Sequence, residues 1–156
     1  MRELVFQCIG SFVGCLGFAF IFRIHRNIEF AYFGALNGLI ATIIYLILKP
    51  LSNLYLQNFI AMLIAALLAE CMARLFKAPA TIFITIGCFP LVPGRGIYQT
   101  MLYAVQGQSY LFIQSFLQTF GIAMSLALAI LVSSTIILLF KKIKAQPDLF
   151  FKDPIE

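Results

Sequence analysis

Charge is what this sequence has least of. Only 11% of its 156 residues are charged, six are acidic and one is a histidine, against 62% hydrophobic residues. Mean hydropathy is +1.00. An ordinary soluble domain is about a quarter charged, so too little polar material is present to wet a globular surface. The single histidine, His25, lies outside every apolar run, and no H-E-x-x-H occurs. With no nucleophile-and-base set in its place, an intramembrane enzyme is not expected. Cys8, Cys15, Cys71 and Cys88 all sit inside apolar runs and form no C-x-x-C pair. Neither a disulfide framework nor a metal site is indicated, and they read as small buried hydrophobes. No catalytic residue and no cofactor are expected.

The charges that are present cluster at the ends of apolar segments: Arg23 and Arg26, Lys49, Arg74 and Lys77, then Lys141, Lys142 and Lys144. A net charge of +5 arranged this way is a topology signal and not a basic face for nucleic acid. Apolar segments run from Leu4 to Phe22, Ala31 to Leu48, Phe59 to Phe76, Ala80 to Val105 and Ser115 to Phe140. Each is long enough to cross about 30 Å of hydrocarbon as a helix. None alternates like a barrel strand. The first is longer than a signal-peptide core and ends in Arg23 without a small-residue cleavage site, so it reads as a retained span. The expected fold is an all-α integral membrane protein, a bundle of about five transmembrane helices. Residues 1–145 form the membrane domain and 146–156 a short cytoplasmic tail.

Counting Lys and Arg sets the topology. With five crossings, Arg23, Arg26, Arg74, Lys77, Lys141, Lys142, Lys144 and Lys152 share one side, and Arg2 and Lys49 the other. With four, that asymmetry vanishes. The positive-inside rule therefore predicts an outside N-terminus and a cytoplasmic C-terminus in a bacterial inner membrane. Tyr32, Tyr55, Tyr110 and Phe112 lie near segment ends, where interfacial aromatics are common. Gly10 and Gly14, Gly34 and Gly38, and Ala61, Ala65, Ala69 and Ala73 repeat at four-residue spacing. Such stripes predict close helix packing.

The fourth segment is interrupted by Pro90, Pro93, Gly94 and Gly96. About 15 Å of helix precedes the interruption and about 15 Å follows, which places a broken helix near the bilayer midplane. Pro90 and Pro93 lack the N–H groups that would pair with the carbonyls of Ile86 and Phe89, so those oxygens are expected to be free. The second half-helix begins with unpaired N–H groups and a positive dipole end, a cradle for a carboxylate. Broken helices of this kind mark substrate sites in secondary transporters; the plainer reading is a proline kink that only shapes the bundle.

The same stretch carries P-x-x-x-F, P-x-x-P-G and Y-x-x-M, in Pro79, Phe83, Pro90, Pro93, Gly94, Tyr98 and Met101. This pattern resembles the threonine/serine exporter family, specifically its C-terminal half, which in some bacteria is a separate small subunit. The resemblance implies export of threonine and serine, or of succinate-like C4-dicarboxylates, by a complex with a second membrane subunit similar to the family's N-terminal half. Arg95 stands where that pattern has a small residue, and it suits a carboxylate-bearing solute. The expected substrate-binding set is Pro90, Pro93, Gly94, Arg95, Gly96, Tyr98 and Asn37. Arg95 pairing with Glu70 or with an acid of the partner is the alternative.

Glu70 is an intramembrane ionisable residue and so a candidate for coupling or gating, with an i,i+4 ion pair to Arg74 as the structural alternative. Asn37 serves either as interhelical glue or as a substrate contact. Gln114, Gln118, Gly121 and Ser125 share a helix face that either lines a wet path or packs a polar seam. A non-transporting assembly subunit is the competing function, and a homo-oligomer the competing assembly.

Overall fold

In a computed structural model, residues 2–21, 28–50 and 53–144 are described. Arg23, His25, Arg26 and the 146–156 tail lie outside them. Among the described residues there are six α-helices and no strand: α1 (Arg2–Ile21), α2 (Ile28–Ile47), α3 (Leu54–Leu75), α4 (Ala80–Cys88), α5 (Gly94–Val105) and α6 (Ser109–Lys144). A single 3-10 turn, Phe89–Leu91, lies between α4 and α5. Helices are expected here because hydrocarbon offers no partner for an unpaired backbone group.

Short local devices set the helix ends. Asn53 caps α3, its side-chain oxygen accepting from the N–H groups of Tyr55 at 3.1 Å and Leu56 at 3.4 Å. At the far end Lys77 takes φ 50°, and the Ala78 N–H reaches back to the Ala73 carbonyl at 3.0 Å. Helix α5 closes the same way, with Gly107 at φ 69° and the Gln108 N–H on Tyr103 O at 3.0 Å. Glycine adopts that conformation without strain, whereas Lys77 does so against its Cβ.

Helices α1, α2, α3 and α6 are each long and apolar enough to span a bilayer. The α4 and α5 pair qualifies as one bent segment, with 57° between its halves. Counted as one span, the pair brings the number of candidate crossings among the described residues to five. Helix α4 with its 3-10 turn advances about 20 Å, and α5 projected through the bend adds about 10 Å. Together they match the hydrocarbon thickness of about 30 Å.

The core is built around α4, which packs on α2 and α3, while α1 covers α2 and α6 covers α3. Ala61, Ala65 and Ala69 are fully buried and Ala73 nearly so. Their small side chains let α3 seat against its neighbours. A Cβ on Gly34 would run into the Ile86 side chain, one on Gly38 into Sγ of Cys15, and one on Gly87 into the Asn37 amide. Gly10, by contrast, has open space around it, so the α1 stripe is not a tight seam. Phe30, Phe33, Phe76 and Phe83 form an aromatic cluster around the start of α4, with ring centroids 4.7 to 6.0 Å apart.

Candidate functional site

The break is tightly made. Pro93 has φ −77° and ψ 59°, an inverse γ-turn closed by the Gly94 N–H on the Val92 carbonyl at 2.8 Å. The carbonyls expected to be free are not. Ile86 O accepts the Phe89 N–H in the tightened 3-10 turn and the Cys15 thiol at 3.4 Å. Phe89 O accepts the Val92 N–H at 3.4 Å. Shifting from i→i−4 to i→i−3 pairing re-satisfies what the prolines removed. The unpaired groups are on the other side of the break. Gly94 and Ile97 donate to Val92 and Pro93, and between them the N–H groups of Arg95 and Gly96 have no backbone acceptor, as the first turn of a helix requires.

Those two residues open onto a cavity of about 450 Å³. Its walls are Pro90 to Pro93 in the break, Arg95, Gly96 and Gln99 on α5, Tyr45 on α2, Leu54 and Asn58 on α3, and Ser115, Gln118, Thr119 and Ile122 on α6. Among the described residues one cation, three amides and three hydroxyls line it, and no acidic side chain does. The cavity lies between the break and the bundle end that carries the α2–α3 and α5–α6 turns. Below it α4 is packed shut. The Asn37 amide, fully buried, donates to Ala65 O at 3.1 Å and Phe83 O at 3.3 Å, tying α2 to both α3 and α4.

Of the residues singled out from sequence, Pro90, Pro93, Arg95 and Gly96 meet at the cavity. Gly94 sits in the turn beside it. Tyr98 is 66% exposed and off the cavity. Asn37 and Glu70 are not in its wall. Glu70 is half-buried and Arg74 exposed, and no ion pair joins them among the described residues. Arg95 likewise has no ion pair there. The polar face of α6 splits in two. Gln118 lines the cavity, Gly121 lies against the Tyr55 ring, and Ser125 is buried, donating to Ile122 O. Tyr45, Asn58, Gln99, Ser115 and Thr119 escaped the sequence reading. Of these only Gln99, one helical turn after Arg95, carried a local signal.

A sequence profile for the family described as Threonine/Serine exporter, ThrE, matches residues 7–136. The chain belongs to this family. The exporter match runs from α1 through most of α6, so the break and the whole cavity fall inside it. Membership makes the chain a multi-pass membrane protein of a transporter family. No match was found among curated proteins or among solved structures.

Proposed function

We propose that this exporter-family chain is the small subunit of a two-component exporter. In this reading it binds a carboxylate-bearing solute, threonine or serine or a C4-dicarboxylate, in the cavity at the broken helix. The observation that carries the reading is Arg95. A guanidinium inside a membrane protein costs roughly 2.5 to 3.5 kcal/mol on insertion scales, so it persists where it faces water or a counter-charge. Here it lines a polar cavity beside two N–H groups without a backbone acceptor at a helix N-terminus, with no acidic side chain among the described residues of the wall. Positive charge and positive dipole end add at the same place. In lipid, a polar cavity open between helices is either water-filled or covered by protein, and a second subunit resembling the family's N-terminal half is the proposed cover on its lipid side. On this reading the cavity opens outward, with the N-terminus outside and the C-terminus in the cytoplasm of a cell with this exporter in its inner membrane. Glu70, without a cation partner among the described residues, is the proposed coupling group.

Counterflow of labelled threonine and of labelled succinate, in vesicles with and without the partner, tests the reading. Arg95→Ala is expected to lower flux of the preferred solute at least tenfold while the complex still assembles, with Arg95→Lys restoring only part. Unchanged flux in Arg95→Ala would remove the electrostatic basis of the site. Full flux from this chain alone would remove the partner.

A further inference from the structure

Arg95 enters the polar cavity from α5. From α3 comes Asn58, only 4% exposed and yet part of the wall. Its amide nitrogen donates to the Leu54 carbonyl, one turn back on the same helix, at 2.8 Å. That bond fixes which way the amide faces, because only its NH2 end can meet a carbonyl oxygen. The amide oxygen is therefore turned off the α3 backbone, and no donor meets it among the described residues. An acceptor on so deeply buried a side chain is seldom left without a donor.

Asn37 offers a comparison. Its amide reaches two other helices, and its oxygen, also without a donor, is sealed in the core. Asn58 bonds no other helix among the described residues, and it borders a cavity. Interhelical glue does not account for it. The remaining polar groups sort by what they can still offer. Thr119 spends its proton on Ser115 O at 2.7 Å and has none for the cavity. Tyr45, Gln99, Ser115 and Gln118 can each donate or accept. Fixed polarity thus belongs to the Arg95 guanidinium and the N–H groups of Arg95 and Gly96, which only donate, and to the Asn58 oxygen, which only accepts.

We propose that Asn58 Oδ1 receives the α-ammonium group of the solute and so decides between the two solute classes. The assignment rests on the proposed function, in which Arg95 takes the solute's carboxylate. An α-amino acid carries an anion and a cation on one carbon, and a wall with a donating pole and an accepting pole meets both. A C4-dicarboxylate brings a second anion, which has only lone pairs to show Asn58. Its binding leaves the amide oxygen unpaired and facing negative charge. Asn58 therefore works against the dicarboxylate as much as for the amino acid.

The test is equilibrium binding of three labelled solutes to the full chain in vesicles, alone and with the partner: threonine, succinate, and 3-hydroxybutyrate, which is threonine without its amino group. Wild type is expected to bind threonine at least about tenfold more tightly than the other two, since a site built to pair a polar group rejects a solute that lacks it. Asn58→Leu should weaken threonine by about the same factor and leave 3-hydroxybutyrate unaffected, with the unfolding midpoint in the absence of solute unchanged. Asn58→Asp keeps an acceptor in place, so it should retain the preference for threonine and exclude succinate further; it carries the test if the leucine variant does not fold. Equal losses of threonine and 3-hydroxybutyrate in Asn58→Leu overturn the proposal, since Asn58 then only shapes the cavity. So does succinate bound by wild type as tightly as threonine, or a threonine preference that Asn58→Leu leaves intact or Asn58→Asp abolishes. In each of those cases Arg95→Ala still weakens binding. If Arg95→Ala leaves all three solutes unchanged, or wild type binds none, the carboxylate site fails and the role of Asn58 fails with it.

Discussion

A methyl group added at Gly96 would overlap Oγ1 of Thr119 and press on its Cβ at 3.3 Å. Thr119 is β-branched and its hydroxyl is held by the Ser115 carbonyl, so it has little freedom to turn away. Gly96→Ala is therefore expected to push α5 off α6, lower the unfolding midpoint in detergent, and reduce transport severalfold. Thr119→Ala removes the overlapping oxygen, so the double variant should recover most of both losses. Additive losses in the double variant would show that Gly96 acts through something other than this contact. Arg95, one residue earlier, is a different kind of position. Its neighbours leave it room, and its worth lies in charge, so its substitution should affect flux with little effect on the melting midpoint.

At the scale of elements, α4 is held and α5 is free to lean, and Asn37 is the reason for much of the difference. Asn37→Ala removes two interhelical hydrogen bonds and leaves a small void, at an expected cost of about 1 to 2 kcal/mol in thermal unfolding. Asn37→Asp should cost more, because a carboxylate would face the carbonyls of Ala65 and Phe83 with no donor between them. An Asp variant as stable as wild type would mean that the amide donor does not hold the junction. The break itself was legible in the sequence, because Pro and Gly act locally on backbone pairing. Which half-helix would be locked was not, since that depends on Asn37, Ala65 and Phe83 meeting across three helices. The repair of the Ile86 carbonyl by Cys15 was hidden for the same reason, being a contact 71 residues apart. Helix α6 also starts earlier than hydropathy suggested, at Ser109 in place of Ser115. Polarity leaves Gln108 and Ser109 outside the apolar run, whereas the helical spacing of Gln114 and Gln118, read from the sequence, carries both to the α3 side.

For the molecule as a whole, the arrangement of basic residues makes a sharp demand. A reporter fused after Glu156 should read cytoplasmic, and one inserted at Asn53, in the α2–α3 turn, should read external. The odd number of crossings this requires is reached when the α4–α5 pair, bent by 57°, counts as one span. A C-terminal reporter found outside would turn the α4–α5 pair into a re-entrant element and place the polar cavity on the wrong side for an outward opening.

Helix α6 has 36 residues, about 54 Å of helix, and a bilayer cannot absorb that length by inclination alone. Membrane helices rarely lie more than about 40° from the normal, and at that angle about 26 residues cross the hydrocarbon, leaving about ten in the headgroup region or beyond. The angle at which α6 rests is thus set partly by membrane thickness. Because α5 packs on α6, a thicker or thinner bilayer is expected to change the width of the cavity at the break. Transport in vesicles of graded acyl length should pass through an optimum, and a flat profile would mean that the overhang is mechanically idle.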